Sequence, residues 1–271
     1  MPESPRPASS PRYVPGWGPD TLAMLSRRTA DERAISLLPH LRPGMLVLDA
    51  GCGPGSITVG LARAVGPSGQ AVGIDFEASQ IERARSTAAD EKVRNVEFET
   101  CDVHDLPYAD ETFDAVFAHA LVEHLAGPEH AMSELGRVLR PGGILCLSSS
   151  DWSGAKLAPR TPDVDEAIVA HCQLRLLAGG DPFAGGRLEE MAKAAGFTKF
   201  VVGLYDRTDM GYRELARFVS ACIGRALADP ALATDAARFA SAAEAARRWA
   251  EGPEGVFVQR WVDVLARRPE V

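Results

Sequence analysis

The sequence predicts an α/β fold, a doubly wound parallel sheet with helices on both faces. Two observations predict it. Short, continuous apolar runs alternate with segments of helical period, and the connections between them are short. A chain of that kind covers both faces of a parallel sheet with helices, and right-handed crossovers leave few topologies.

The elements follow in order. Residues 1–12 are rich in Pro and Ser and read as a mobile tail. Leu22 and Leu25, then Ala34, Leu37, Leu38 and Leu41, predict two helices before Pro43-Gly44, with Asp31 capping the second. Strands are expected over 45–49, 70–75, 96–101, 113–118 and 144–148. Helices are expected over 56–65, 77–89 and 129–139, the last stopped by Arg140-Pro-Gly-Gly143. Further on, 163–179, 188–195, 212–228 and 233–250 have helical spacing, Gly196 is a C-cap, and 197–204 and 255–265 have strand character.

Composition narrows the function classes. The chain has 271 residues, of which 46% are apolar and 24% charged, ordinary for a globular protein with a sizeable core. Its formal charge of −8 argues against a partner held mainly through nucleic-acid phosphates. No apolar run reaches the roughly 18 residues of a membrane span, and the N-terminus has no secretory-type apolar run. The five cysteines, at 52, 101, 146, 172 and 222, have no CxxC spacing. They read as reduced thiols of a cytoplasmic protein, with no metal site.

The loop Asp49-Ala-Gly51-Cys52-Gly53-Pro-Gly55 joins the first strand to the first helix of the sheet. Glycines there let a ligand approach the backbone, and the helix start offers unpaired N–H groups. Taken alone, the loop is equally a tight structural turn. Its context changes the weighting. Asp75 ends the second strand, where an acid can take both hydroxyls of a ribose, and Asp102 ends the third. Phe76 and Val103 follow them and are placed to sandwich an adenine. Three such strand ends line one crevice, which favours a ligand site over three solvated turns.

These residues resemble a family. Val47-Leu-Asp-Ala-Gly-Cys-Gly-Pro-Gly-Ser-Ile-Thr58, Gly73-Ile-Asp75, Cys101-Asp-Val-His-Asp-Leu-Pro107 with Phe113-Asp114, and Leu139-Arg-Pro-Gly-Gly143 are similar to class I S-adenosylmethionine-dependent methyltransferases, closest to the UbiE-like small-molecule subgroup. The likeness covers about residues 30–150; past them only Gly180–Phe183 to Gly196-Phe197 is familiar. It implies a Rossmann-like sheet of seven strands with the last antiparallel, S-adenosyl-L-methionine as cofactor, and a small-molecule acceptor, with specialised or quinone-type metabolism as one setting. It implies that Asp49 positions the cofactor's methionine moiety and that Gly51, Cys52, Gly53 and Gly55 form the loop it lies against. Asp75 would bind the ribose diol, and Asp102 the adenine amine beside a Val103 N–H. His119 would contact the methionine end and face the acceptor. The expected organisation is a tail and cap helices over 1–43, a core over 44–206 and 255–265, a lid segment over 153–180 and a helical insertion over 207–254.

Transfer from a sulfonium is an in-line displacement, so the protein mainly aligns and desolvates, and a base is needed only for a protonated nucleophile. His119, His124 and His171 are the candidate bases, each weighed against a merely hydrogen-bonded histidine; His104 and His130 read as surface residues. Tyr13 and Trp17 either close over the cofactor or pack onto the sheet. Trp152, Phe183, Tyr205 and Tyr212 are candidate acceptor-pocket residues or core, and Arg175, Arg207 and Arg213 either meet an anionic acceptor or are solvated.

Three competitors stand beside this reading. A nicotinamide-dependent oxidoreductase carries G-x-G-x-x-G, whereas the spacing here is Gly51-x-Gly53-x-Gly55. A nucleic-acid methyltransferase would carry Asn/Asp-Pro-Pro-Tyr/Phe after strand four, where this chain has Ala118-His-Ala-Leu-Val-Glu-His124. A non-catalytic cofactor-binding module need not keep the loop and all three acids intact. A monomer and a homodimer are equally compatible with the sequence.

Overall fold

The computed structural model describes residues 13–232 and 235–270; the predicted tail over 1–12 lies outside them. The chain runs α1 (Pro19–Ser26), α2 (Ala30–Arg33), β1 (Leu46–Ala50), α3 (Ser56–Val65), β2 (Gln70–Asp75), α4 (Ala78–Asp90), β3 (Val96–Thr100), β4 (Phe113–His119), α5 (Pro128–Val138) and β5 (Leu139–Ala158). It continues through α6 (Pro162–Leu177), α7 (Leu188–Ala194), β6 (Thr198–Arg207), α8 (Tyr212–Leu227), α9 (Ala236–Glu251) and β7 (Val256–Arg267).

The strands form one seven-stranded sheet in the order β3-β2-β1-β4-β5-β7-β6. β1 to β5 are parallel neighbours, and β7 runs antiparallel to both β5 and β6. The final antiparallel strand is therefore as expected. The central runs are strands because they are buried on both faces: Val47, Leu48, Ala115 and Val116 have no exposed surface. α5, α7 and neighbouring loops cover one face with Met132, Leu135 and Leu188; α2 and α3 cover the other with Ala34, Ile57 and Leu61. A separate apolar cluster joins α6, α8 and α9 through Leu174, Val219, Ile223, Phe239 and Trp249.

The strand order reverses at β1, which lies between β2 and β4. Crossovers depart to opposite sides there, so a crevice opens at the carboxyl ends. The register sets its rim. Asp49 lies beside Gly73 and Phe117, Asp75 beside Thr100, and His119 beside Ser148.

Three local expectations are corrected. α2 is a single turn capped by Thr29 without a side-chain bond, and Asp31 lies inside its first turn. The chain then turns through a 3-10 segment, Leu38–His40. β5 is far longer than 144–148. Its later part, Lys156 to Ala158, pairs with β7 beyond a register shift, so a partner remote in sequence extends a strand whose own apolar run ends early. Arg140-Pro-Gly-Gly143 leaves the helix as expected but already belongs to that strand.

Candidate active site

The glycine loop is tied to the next strand: the backbone N–H groups of Gly51 and Cys52 both donate to the Ile74 carbonyl at 2.8 Å. Gly51, Gly53 and Gly55 all have positive φ, which favours glycine. They differ in what stands beside them. Around the position of a Gly53 Cβ no atom lies within 4 Å, so the backbone faces open space. A Gly55 Cβ would meet the Ala84 Cβ at 2.8 Å. Gly55 lies off the cavity wall and lets α3 pack on α4, a role the motif alone does not separate from ligand contact.

Three acids converge. Asp75 is 7% exposed, accepts the Gly53 N–H at Oδ2 and the Glu77 N–H at Oδ1, both at 3.0 Å. Burial pushes its carboxyl up to about 6, against those two bonds. Asp49 accepts the Thr58 hydroxyl at 2.6 Å, and burial pushes it up to about 7. Asp102 is more open. Its slight burial is outweighed by bonds from the His104 N–H at 2.9 Å and ring at 2.8 Å, which leave it below the usual carboxylate range.

His119 ends β4 and stacks on Trp261 of β7, with ring centroids 4.5 Å apart. It is 5% exposed, and neither ring nitrogen has a partner among the described residues. Burial, with Arg28, Arg33 and Arg207 nearby, holds it far below the usual histidine range, so the ring is neutral. His124 and His171 are also neutral, pushed down to about 3 by burial and by Arg175. Beside them lies a network that sequence reasoning did not identify. Glu123 accepts the Ser150 N–H at 2.9 Å, the Ser150 hydroxyl at 2.7 Å and the Ser149 hydroxyl, and faces Arg175 at 3.4 Å. These partners outweigh burial and keep Glu123 charged.

One cavity of about 550 Å³ joins these groups. Asp49, Gly51, Cys52, Gly53, Asp75, Phe76, Asp102, Val103, Tyr13 and Trp17 line it, as do His119, His124 and His171. Tyr13 and Trp17 stack on each other at 4.4 Å; Trp17 reaches Phe76 at 6.2 Å and Tyr13 meets His124 edge-on at 4.8 Å. Of the pocket candidates, Trp152, Arg175 and Arg207 line the cavity. Phe183 lies elsewhere on the surface, Tyr205 bonds Ser36, Tyr212 is core, and Arg213 pairs with Glu254.

A methyltransferase-domain family model matches residues 41–196, more than half of the chain. The chain belongs to this methyltransferase family. An uncharacterised 37.1 kDa protein from a Streptomyces fradiae transposon is 37% identical over 66% of this chain and 52% of its own length. An uncharacterised methyltransferase of Schizosaccharomyces pombe is 33% identical over 61% of each chain. The chain thus spans about half to three fifths of these relatives' length. The YcgJ protein of Bacillus subtilis has the same fold, with a TM-score of 0.60 at 20% identity over 87% of this chain and 97% of that one. Membership sets aside the nicotinamide-dependent oxidoreductase. The family's cofactor is S-adenosyl-L-methionine, and the crevice suits it. The open face at Gly53 admits a ligand against the backbone, and Asp75 keeps lone pairs beyond the two it uses.

Residues that the motifs missed are the far wall: Met24, Arg28 and Arg33 from the N-terminal segment, Leu215 and Phe218 from α8, and Phe257, Gln259 and Trp261 from β7. A signal for Arg33 existed, since it shares the buried stripe of Ala30, Ala34 and Leu37 at helical spacing.

Proposed function

We propose that the protein transfers a methyl group from S-adenosylmethionine to a small-molecule acceptor by in-line displacement. The observation that carries the reading is the single cavity running from the glycine loop and the acids of β1–β3 to an aromatic chamber at His119 and Trp261. The bound cofactor supplies a methyl group on a positively charged sulfur.

The chain's own residues do the rest. Asp75, oriented by the Gly53 and Glu77 N–H groups, accepts the ribose diol. Phe76 and Val103 flank the adenine, with Asp102 at its amine. Asp49, near neutrality when free, gains charge beside a cationic ligand. Tyr13 and Trp17 lie across this end and exclude water. His119 is one candidate base: both its nitrogens are open among the described residues, and the neutral ring accepts a hydrogen bond from an acceptor hydroxyl, though burial and three arginines keep its proton affinity low. His171, with an unpartnered Nδ1, is a second, and His124, held against Glu123, is better suited to positioning.

The test is calorimetric titration with S-adenosylhomocysteine and with NAD, followed by screening small-molecule pools with methyl-labelled cofactor. One S-adenosylhomocysteine site per chain, no NAD binding and label transfer to a small molecule are expected. Absence of S-adenosylhomocysteine binding in folded protein would overturn the reading.

A further inference from the structure

The far half of the cavity carries a charge pattern that methyl transfer as such does not require. Three arginines, Arg28, Arg33 and Arg207, line it around Trp261. The Arg28 and Arg33 guanidinium carbons lie 5.7 and 5.9 Å from the Trp261 ring centroid. Arg33 is 4% exposed, and its Nη2 bonds Asp209 while Nε and Nη1 have no partner among the described residues. Arg207 donates through Nη2 to the Glu32 carbonyl at 2.6 Å and leaves Nε buried and unpartnered. The Arg28 guanidinium makes no hydrogen bond or ion pair among the described residues, and burial lowers its affinity for its proton. Buried guanidinium donors without acceptors are costly, and proteins keep them where a ligand completes them.

The charges can be counted. Glu32 and Asp209 line the same end, so three cations face two anions, leaving one positive charge. Asp263, behind the wall, accepts the Ser36 hydroxyl at 2.7 Å; burial raises its carboxyl, and Arg207 and Arg33 oppose that shift. Arg175 and Arg27 are spoken for by Glu123 and Glu214. The opposite end holds Asp49, Asp75 and Asp102, so the cavity is acidic where a cationic cofactor would lie and basic beyond it. The walls between are apolar: Trp152, Leu215, Phe218, Phe257 and Trp261.

We infer that the acceptor is an apolar, flat molecule bearing one carboxylate, held by Arg28, Arg33 and Arg207 with its body against Trp261. The inference rests on the methyl-transfer reading for the word acceptor, but the subsite itself does not. Planar guanidinium groups match a carboxylate in two-point fashion, and the unpartnered Arg33 and Arg207 nitrogens supply the donors.

The experiment uses three probes of nearly one shape: 2-naphthoate, neutral 2-naphthamide and 2-naphthyl phosphate, titrated calorimetrically into the whole protein. Naphthoate is expected to bind at least tenfold tighter than naphthamide and tighter than the phosphate. Arg28→Met should abolish that preference, and Arg207→Gln should reduce it. The Arg28 guanidinium has no ion partner among the described residues, so Arg28→Met keeps the test valid if an Arg33 variant fails to fold. Arg213→Met, remote from the cavity, should leave naphthoate binding unchanged. Equal binding of naphthoate and naphthamide, no naphthoate binding, or a preference that survives Arg28→Met would overturn the inference; tighter phosphate binding would replace the carboxylate with a phosphoryl group. Asp75→Ala, expected to lose cofactor affinity, should still bind naphthoate. Failure of the carboxylate subsite and failure of the cofactor reading thus give different results.

Discussion

Asp75→Ala separates ligand affinity from stability because its carboxylate costs the unliganded fold energy. Burial raises the group from 3.8 to about 6, and at 1.36 kcal/mol per unit the ionised form carries about 3 kcal/mol of unfavourable free energy at neutral pH. Removing it relieves that cost but orphans the Gly53 and Glu77 N–H groups, worth about 1–3 kcal/mol. The two effects offset, so the unliganded variant should melt close to the wild type. Ligand affinity has no such offset. Losing hydrogen bonds to a charged acceptor costs about 1.5–3 kcal/mol, or roughly 10- to 100-fold in Kd for S-adenosylhomocysteine. At a ligand concentration of about 100 wild-type Kd, ligand stabilisation should fall from about 2.7 kcal/mol to between about 0.4 and 1.4. Calorimetry and melting with and without ligand read both quantities. An unchanged Kd would refute Asp75 as the diol acceptor. A collapse of the unliganded protein would refute the burial argument.

Other outcomes are expected. Asp49 and Asp75 titrate at about 7 and about 6 when free, and a bound diol and ammonium favour their charged forms. Binding should therefore release protons, and S-adenosylhomocysteine affinity should rise with pH from about 5 and level off above about 7; a flat profile would count against both roles. The same raised carboxyls lower the unliganded fold's stability as pH rises from their ordinary 3.8 toward 7. Gly53→Ala should cost about 1–2 kcal/mol of stability, from its positive φ, and most of the ligand affinity. Gly55→Ala should cost more stability, since its Cβ meets Ala84 and Phe98 as well, and denaturant melts would rank the two. Glu123→Ala strands Arg175 in the interior and should cost about 3–5 kcal/mol on chemical denaturation; a loss under about 1 kcal/mol would mean that water reaches the guanidinium.

The glycine-lined, acidic end of the cavity was legible because it is built from neighbours in sequence. A strand, a glycine turn and a helix place Gly51 and Gly53, and the ends of the next strands place Asp75, Phe76, Asp102 and Val103. Each signal is local, and parallel pairing brings the ends into one row. The same locality misled at Gly55. Its glycine reads like its neighbours, but its reason is the approach of α4, which no spacing reports. β5 was cut short for a related cause, since its last residues are a strand only because β7 lies beside them.

By itself, then, the sequence determined the doubly wound sheet, the order of its elements and the acidic, glycine-lined end of the cavity. Burial on both faces and turn chemistry write those features into short windows of residues. The tertiary structure alone decided the other end. Arg28 and Arg33, Phe218 and Trp261 come from segments as many as 233 positions apart in the 271-residue chain. Their meeting depends on how α2 and the turn before it, α8 and β7 pack around the sheet. Which charges line the far half of the cavity is a property of that packing, set by long-range contacts that no local pattern encodes.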